Sequence, residues 1–207
     1  MADLRFERVL VDQGFKRVAG LDEVGRGALF GPVVAAAVIL PVELIKDATK
    51  KLSWVVEIDD SKRLTKAKRE RLFEKILSYA SSVGIGLATH REIDHKNIAW
   101  ASQEAMRRAL DSMTKNPDFL LVDGFYLNDV NYSQKKVVQG DRKSITIAAA
   151  SIIAKVFRDE MLDRFDAVFE GYGLSKNKGY GTKEHYKALE KMGPTVFHRR
   201  SFNLRGK

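Results

Sequence analysis

The chain has 207 residues, of which 44% are hydrophobic, and 36 lysines and arginines against 27 acidic residues give it a net charge of +9. This length can bury one substantial core, and the positive charge favours nucleic acid first, and an anionic membrane surface second, as the partner. The absence of cysteine excludes disulfides, thiolate zinc sites and cysteine nucleophiles. Because no signal-peptide pattern is visible and the longest apolar run covers only residues 33–40, we expect a soluble cytoplasmic protein without a membrane span.

The first half of the chain predicts two strands, a helix and a third strand. Residues 17–22 and 32–40 are rich in valine, isoleucine and alanine, and the glycine-containing loop between them is short enough for a hairpin. Apolar residues recur at helical spacing within residues 66–80, with Thr65 at the position of an N-cap. Residues 83–89 return to strand character, with glycines where neighbouring chain segments can approach closely.

The second half predicts three helices, two strands and a basic tail. Helices are expected at residues 98–113, 144–169 and 183–192, strands at residues 119–122 and 135–139, and the tail at residues 198–207. Residues 145–157 are apolar on nearly every side, so that helix is expected to begin deep inside the protein. Strands interleaved with helices indicate an α/β fold with a mixed sheet.

Carboxylates stand at or just after the ends of three predicted strands. Asp22 and Glu23 end the first strand, Asp123 follows a central one, and Asp141 follows a later one. If these strands are neighbours, the four carboxylates converge at one edge of the sheet. A lone Asp-Gly pair is more often a turn, but a cluster of like charges calls for a cation. Oxygen ligands suit Mg²⁺ or Mn²⁺, so the sequence predicts a hard divalent metal site.

The expected cluster has a geometric requirement and a chemical use. Successive strand residues face opposite sides of a sheet, so we expect the strand to twist or end at Asp22 and Glu23, with Gly25 and Gly27 supplying the freedom. Two metal ions about 3.5–4 Å apart could activate a water and stabilise the leaving oxygen of a phosphodiester. A basic surface would then hold the nucleic acid strand that the acidic centre cuts.

Several long motifs, in order, resemble those of type 2 ribonuclease H, the ribonuclease HII family. They run from Ala19 to about Phe202 and read GLDEVGRG with GPVVAAAVIL, then DSKRL, LVDG, GDRKSITIAAASIIAKVFRD and NKGYGTKEH. The resemblance implies a ribonuclease H-like fold, in which helices flank a mixed β-sheet, with a small helical C-terminal extension. It also implies an endonuclease that cuts RNA in RNA–DNA hybrids and single ribonucleotides embedded in duplex DNA, leaving 5′-phosphate and 3′-hydroxyl ends.

The same resemblance assigns roles to particular residues. Asp22, Glu23, Asp123 and Asp141 match the family's metal-binding acids, which implies a two-metal site for Mg²⁺ or Mn²⁺. Gly25, Arg26 and Gly27 match the segment that reads the ribonucleotide 2′-hydroxyl, the group that separates RNA from DNA at a single sugar. Tyr180 matches a tyrosine that stacks on the next deoxyribose, although a loop aromatic covering the core is the alternative.

Other residues in matching segments have a structural alternative. Lys62 is a candidate phosphate contact within DSKRL, although a lysine-rich turn is usually just solvated. Ser144 is either a phosphate contact or the N-cap of the helix that follows. We interpret His185 and His198 as structural.

Two broader expectations complete the sequence-based interpretation. Residues 1–170 are expected to form the catalytic domain and residues 171–207 a substrate-binding extension packed on it, in a protein that acts as a monomer. Two other functions remain open: a non-catalytic nucleic-acid-binding protein, and a DNA nuclease or recombinase with the same fold. Binding modules do not need four converging acids, and only the Gly-Arg-Gly segment argues for ribose.

Overall fold

A computed structural model describes residues 2–46 and 54–206, so Met1 and Lys207, the last residue of the basic tail, lie outside the described chain. The strands are β1 (Val18–Val24), β2 (Val33–Ile39), β3 (Ser82–Ala88), β4 (Phe119–Asp123) and β5 (Gln134–Val137). The helices within the described residues are α1 (Arg5–Asp12), α2 (Val42–Lys46), α3 (Lys66–Tyr79), α4 (His90–Lys96), α5 (Ile98–Asp111), α6 (Ile145–Val168), α7 (Leu174–Asn177) and α8 (Lys183–Met192). None of these helices is long and apolar enough to cross a bilayer.

The strands form one mixed sheet in the order β3-β2-β1-β4-β5. Strand β2 is antiparallel to both β1 and β3, whereas β1, β4 and β5 run parallel. The predicted α/β fold with a mixed sheet is confirmed. Because parallel β1 and β4 are neighbours, their carboxyl ends meet at the same edge, which brings Asp123 beside Asp22 and Glu23.

Helices cover both faces of the sheet. Helices α3 and α6 pack on the face that carries Val34, Ala36 and Val38, and α5 packs on the opposite face. The start of α6 is buried on all sides, as its composition predicts. At Gly20 of β1, any side chain would collide with the backbone of Thr146 and Ile147. The N-terminus of α6 therefore lies directly against the strand that carries the acidic pair.

Two details of the acidic segments differ from the prediction. Strand β1 does not end at Asp22: it continues through Glu23 to Val24, paired with β2 over its whole acidic stretch. The ladder stays intact because the small residues of β2 opposite the acids, Ala36 and Ala35, leave room for both side chains. Asp141 does not end a strand either, because β5 stops at Val137 and a 3-10 turn over Gly140–Arg142 carries it.

Short amphipathic helices were not predicted. The sequence predicts no element at residues 5–12, where α1 forms, and none at α2, α4 or α7. Thr89, predicted as a strand residue, instead forms a capping box with Glu92 at the start of α4. The predicted N-cap at Thr65 is confirmed by its bond from the Lys68 N–H at 3.3 Å.

The C-terminal segment packs on the rest of the chain through an apolar cluster. Leu174, Ala188 and Leu189 lie in this cluster together with Leu29 and Phe30 of the loop that follows β1. A functional boundary at residue 170 stays a prediction.

Candidate active site

Asp22 and Glu23 are successive residues of β1 and face opposite sides of the sheet. Asp22 is only 6% exposed and faces α6, where the Ser151 side chain hydrogen-bonds to it; its Oδ1 also accepts from the Glu23 N–H at 2.8 Å. The Oε1 atom of Glu23 accepts from Arg26 Nη1 at 3.0 Å. Despite their different directions, both carboxylates interact electrostatically with Asp123.

Asp123 ends β4 beside this pair and is tied to the turn that carries Asp141. The Gly140 N–H donates to Asp123 Oδ1 at 2.7 Å, and Asp141 follows Gly140 directly. Asp22 interacts electrostatically with both Asp123 and Asp141. The four acids selected from the sequence thus lie together, at the end of the β1–β4 pair and beneath the N-terminus of α6.

Burial dominates the electrostatics of the cluster. It raises the pKa of Asp22 well above its usual value, and the charges of Glu23 and Asp123 raise it further. Burial also raises the pKa of Glu23, with Arg26 opposing the shift, and it raises the pKa of Asp123 and of Asp141. Because burial and the neighbouring acids both disfavour the ionised carboxylates, a cation among them would be favoured by offsetting both effects.

The donor set fits a hard divalent cation. All four side chains offer oxygen, and Glu23 Oε2 is buried without a hydrogen-bond partner in the described chain, which is the kind of acceptor that a cation satisfies. Across residues 2–46 and 54–206, no three acidic or histidine side chains already form a metal-binding group. Asp22, Glu23 and Asp123 instead each direct one oxygen to a protein N–H.

Asp60 is a fifth carboxylate at this site, and the sequence analysis did not select it. It is 1% exposed; its Oδ2 pairs with Arg142 Nε at 3.1 Å, and its Oδ1 accepts from the Lys62 N–H at 2.9 Å. Its charge raises the pKa of Asp123 and Asp141, whereas that of Lys62 lowers it. Its place in DSKRL was an available signal. Lys62 is exposed beside the acids, and its contact with a phosphate stays a prediction.

The glycine-arginine-glycine loop follows β1 at the same edge. Gly25 has a φ of 92°, a left-handed conformation that favours glycine. The Arg26 side chain is 47% exposed and pairs with Glu23, with its guanidinium 5.9 Å from the Phe125 ring centroid. Gly27 is exposed, and a Cβ there would meet open space. A ligand could therefore approach the backbone closely at Gly27.

Two buried arginines hold this loop from behind, and the sequence analysis missed both. Arg199 is fully buried rather than part of an exposed basic tail, and burial lowers its pKa to about 9. Its guanidinium donates to three carbonyls, those of Gly25 (2.8 Å), Arg26 (2.8 Å) and Gly31 (2.9 Å). The Arg158 guanidinium donates to the carbonyls of Phe30, Pro32 and Lys178. The loop is therefore fixed through its backbone, which leaves its exposed side free.

Tyr180 lies alongside the loop. It forms an isolated antiparallel bridge with Ala28, and the Leu29 N–H donates to the Gly179 carbonyl at 2.7 Å. The partly exposed ring lies 5.7 Å from the Arg158 guanidinium. Its position beside Gly25–Gly27 is compatible with contact to the same sugar-phosphate backbone, and stacking stays a prediction.

Ser144 has the structural role of its two alternatives. It is fully buried, its hydroxyl donates to Glu7 Oε1 at 2.6 Å, and it caps α6 by accepting from the Ile147 N–H at 3.3 Å. The phosphate contact is corrected accordingly, because the side chain offers no surface to a ligand and its hydrogen-bonding groups are occupied within the protein.

His185 and His198 form a buried pair that supports Tyr180. The Tyr180 carbonyl lies 2.9 Å from His185 Nδ1, so that nitrogen donates. His185 Nε2 must then accept from His198 Nε2 at 3.1 Å, and His198 Nδ1 accepts from the Thr195 N–H at 2.9 Å. Both rings are thereby neutral, with one defined tautomer each.

We expect this pair to make the protein sensitive to mild acid. Burial lowers the pKa of His198 to about 4, from 6.5, so its stabilising contribution is complete above pH 6.5 and is lost as the pH falls towards 4. The shift corresponds to about 3 kcal/mol of the free energy of unfolding. Urea titrations between pH 4 and 8 should show a flatter pH profile for His198→Leu than for the wild type. Exposed His95→Gln is the control, and an unchanged slope in His198→Leu would contradict the assignment.

A groove of about 1050 Å³ lies between α8 and the C-terminal tail. Four exposed cations line it, namely Lys183, Lys187, Arg200 and Arg205, with Glu190 as the acidic exception. The groove is suited to a polyanion.

Known proteins resemble the chain over nearly its whole length. The family model described as "Ribonuclease HII" matches residues 19–205. A curated ribonuclease HII from Moorella thermoacetica is 48% identical over 95% of this chain and 91% of its own length. A ribonuclease HII from Clostridioides difficile is 46% identical over 95% of this chain and 74% of its own length.

Solved structures agree with the fold. The crystal structure of the ribonuclease H2 from Pyrococcus horikoshii matches with a TM-score of 0.74 at 26% identity, covering 91% of this chain and 95% of the other. The ribonuclease HII in a complex with PCNA from Archaeoglobus fulgidus gives a TM-score of 0.72 at 24% identity, covering 92% and 97%. Bst-RNase HIII in complex with Mn²⁺ matches at 18% identity with a TM-score of 0.66, covering 92% and 68%.

Proposed function

The chain belongs to the ribonuclease HII family and is therefore a ribonuclease H, and we propose that it cuts the RNA strand of RNA–DNA hybrids and also cuts 5′ of single ribonucleotides embedded in duplex DNA. The products carry 5′-phosphate and 3′-hydroxyl ends. The observation that carries the proposal is that β1, which holds Asp22 and Glu23 of the acidic cluster, continues directly into the Gly25–Gly27 loop. Phosphodiester chemistry at these acids would then take place within a few residues of a backbone that can contact a sugar.

The proposed cofactor is a pair of Mg²⁺ or Mn²⁺ ions. Asp22, Glu23 and Asp123 would hold them and Asp141 would complete the site. When bound, such ions activate a water and stabilise the leaving oxygen of the phosphodiester. The unpartnered Glu23 Oε2 supports this assignment, and the Mn²⁺ complex of Bst-RNase HIII is in line with it.

The Arg26–Glu23 ion pair suggests how substrate and metal binding are linked. Glu23 Oε1 holds Arg26 Nη1 at 3.0 Å. If a bound cation also engaged Glu23 Oε1, Arg26 would lose this partner and could bind the phosphate next to the ribonucleotide. The exposed backbone at Gly27 would contact the 2′-hydroxyl.

Residues outside the loop would hold the rest of the duplex. Tyr180 would stack on the deoxyribose that follows the ribonucleotide, and Lys62 would contact a phosphate near the acids. The cations of the groove beside α8, such as Lys187 and Arg205, would neutralise phosphates of the flanking duplex. This agrees with a substrate-binding role for the C-terminal extension.

The test is cleavage of a labelled DNA duplex that contains one ribonucleotide, in Mg²⁺, in Mn²⁺ and in EDTA. We expect a single cut 5′ of the ribonucleotide in at least one of the metals and none in EDTA. An all-DNA duplex of the same sequence is the control, and a duplex with 2′-O-methyl ribose at that position tests whether the free hydroxyl is read.

The outcomes separate the competing functions. Cutting of the all-DNA duplex at a similar rate would identify a DNA nuclease, and tight binding without cutting in either metal would identify a non-catalytic binding protein. Cleavage of a continuous hybrid but not of the single-ribonucleotide duplex would restrict the activity to RNA strands.

A further inference from the structure

Glu7 of α1 is a buried carboxylate outside residues 19–205, the segment that the family model matches. Its side chain is completely buried, which is unusual for a glutamate. One oxygen, Oε2, has no hydrogen-bond partner within the described chain. Burying a carboxylate with an unpartnered oxygen costs free energy of folding, which points to a role for the contacts that its other oxygen makes.

The other oxygen of Glu7 binds the first residues of α6. Oε1 accepts from Ser144 Oγ at 2.6 Å, from the Thr146 N–H at 2.9 Å and from Thr146 Oγ1 at 2.8 Å. Glu7 thus satisfies a backbone N–H that the first turn of a helix leaves unpaired. The backbone of Asp3 reinforces the contact by accepting from the Ile145 N–H at 3.1 Å.

Hydrogen bonds connect this contact to Asp123, through the turn that carries Asp141. The Ser144 N–H donates to the Gly140 carbonyl at 2.8 Å, and the Gly140 N–H donates to Asp123 Oδ1 at 2.7 Å. Asp141 lies within the same turn. Glu7 therefore fixes one end of a five-residue turn whose other end orients Asp123, without touching either acid itself.

We propose that Glu7 is a positioning residue of the active site, which sets the turn at residues 140–144 and through it the carboxylates of Asp123 and Asp141. The proposal rests on the proposed function only in taking these two acids as metal ligands. Its consequence is that an N-terminal helix outside the family-matched segment controls metal affinity and turnover.

The first test is hydrogen exchange of the metal-free protein, followed by NMR at the Gly140 amide. In Glu7→Ala we expect this amide to exchange at least about tenfold faster than in the wild type, because local opening of the turn becomes easier. Val11→Ala is the matched control: it weakens the apolar packing of the same face of α1, one turn after Glu7, without touching the network. Equal protection of Gly140 in Glu7→Ala and the wild type would overturn the proposal, whether or not the protein cleaves ribonucleotides.

The second test measures metal binding and turnover in the same variants. By analogy with partners that orient metal ligands, Glu7→Ala should weaken Mn²⁺ binding in calorimetry and lower kcat, each by about 10–100-fold, with KM for the duplex little changed. Glu7→Gln keeps the acceptor oxygen and should stay within about threefold of the wild type. If Glu7→Ala does not fold, Thr146→Val, which removes one donor to Glu7, should shift Mn²⁺ affinity in the same direction.

The outcomes remain distinguishable from those of the proposed function. A wild type that fails to cut would contradict the proposed function, while Gly140 exchange and Mn²⁺ affinity would still decide the role of Glu7. A wild type that cuts, with unchanged kcat and Mn²⁺ affinity in Glu7→Ala, would overturn the role of Glu7 alone. Equal losses in Glu7→Ala and Val11→Ala would reduce Glu7 to a general stabiliser of α1.

Discussion

Replacing Asp22 with asparagine is expected to abolish cleavage and, in metal-free buffer, to raise the melting temperature. The asparagine has the same shape and its oxygen can still accept from the Glu23 N–H, so the fold should be retained. If Asp22 holds a metal ion as proposed, its loss should lower kcat by more than about 100-fold, since even partners that only orient such ligands account for 10–100-fold. Binding of the duplex, which we assign to cations elsewhere, should persist.

The rise in stability follows from the electrostatics of the cluster. Burial and the neighbouring acids raise the pKa of Asp22 in the folded protein. A carboxyl group of this kind stabilises the fold below its unfolded pKa, and this contribution is lost as the pH rises through the folded value. Asparagine cannot ionise, so it avoids the cost of the buried negative charge that the wild type bears at higher pH. The stability advantage of Asp22→Asn over the wild type should therefore grow from acidic to alkaline pH.

Thermal melts in EDTA and in Mn²⁺ provide the measurement. In EDTA the variant should melt above the wild type, and in Mn²⁺ the order should reverse, because only the wild type gains strongly from the bound ion. Exposed Glu170→Gln is the control for removing one negative charge. Cleavage within tenfold of the wild type, or the absence of a reversal, would show that Asp22 is not a ligand.

Arg199→Met is expected to destabilise the protein and to impair recognition of single ribonucleotides. The substitution removes the guanidinium that donates to the carbonyls of Gly25, Arg26 and Gly31. In the described chain the Gly25 carbonyl keeps the Ala28 N–H as a donor at 3.3 Å, whereas those of Arg26 and Gly31 lose theirs. At about 1–3 kcal/mol for each of these two unsatisfied carbonyls, the free energy of unfolding should fall by about 2–6 kcal/mol. Because these carbonyls define the Gly25–Gly31 loop, its exposed side should lose its fixed shape.

Arg199→Lys separates charge from geometry. Lysine keeps the positive charge but cannot serve three carbonyls with one planar group, so cleavage of the single-ribonucleotide duplex should still fall by about 10–100-fold. Arg205→Met, at an exposed position of the same tail, is the control for lost positive charge. If Arg205→Met lowers kcat/KM as much as Arg199→Lys does, the tail acts by charge rather than by holding the loop.

The acidic cluster could be predicted because its information is local. Asp22, Glu23 and Asp123 lie at the ends of apolar strands, and parallel pairing of those strands suffices to bring them together. The sequence was less informative about Asp141, since a 3-10 turn and a weak edge strand look alike over so few residues. The same limit hid α1, whose eight residues offer only two turns of periodicity.

Buried charged residues could not be predicted, because burial depends on distant partners. Arg199 stands in a basic sequence that favours solvent exposure, yet its acceptors lie up to 174 positions away. Glu7 likewise meets its partners 137 and 139 positions away. Because both side chains are charged, the sequence predicts that Arg199 and Glu7 are exposed. Only their hydrogen bonds in the folded protein show that they are buried.

The acids of the cluster differ in how firmly the fold holds their backbone. Asp22 and Glu23 lie on β1, which has β2 on one side and β4 on the other. Because β2 pairs with β1 through both acids, their backbone is stiff. Asp141 lies on a single 3-10 turn that hydrogen bonds hold at its ends rather than along a strand, so its own backbone is less constrained. When a phosphodiester is cleaved, the distances between the phosphorus and the attacking and leaving oxygens change. We therefore expect the turn that carries Asp141 to move during the reaction, while the strand that carries Asp22 and Glu23 keeps its position.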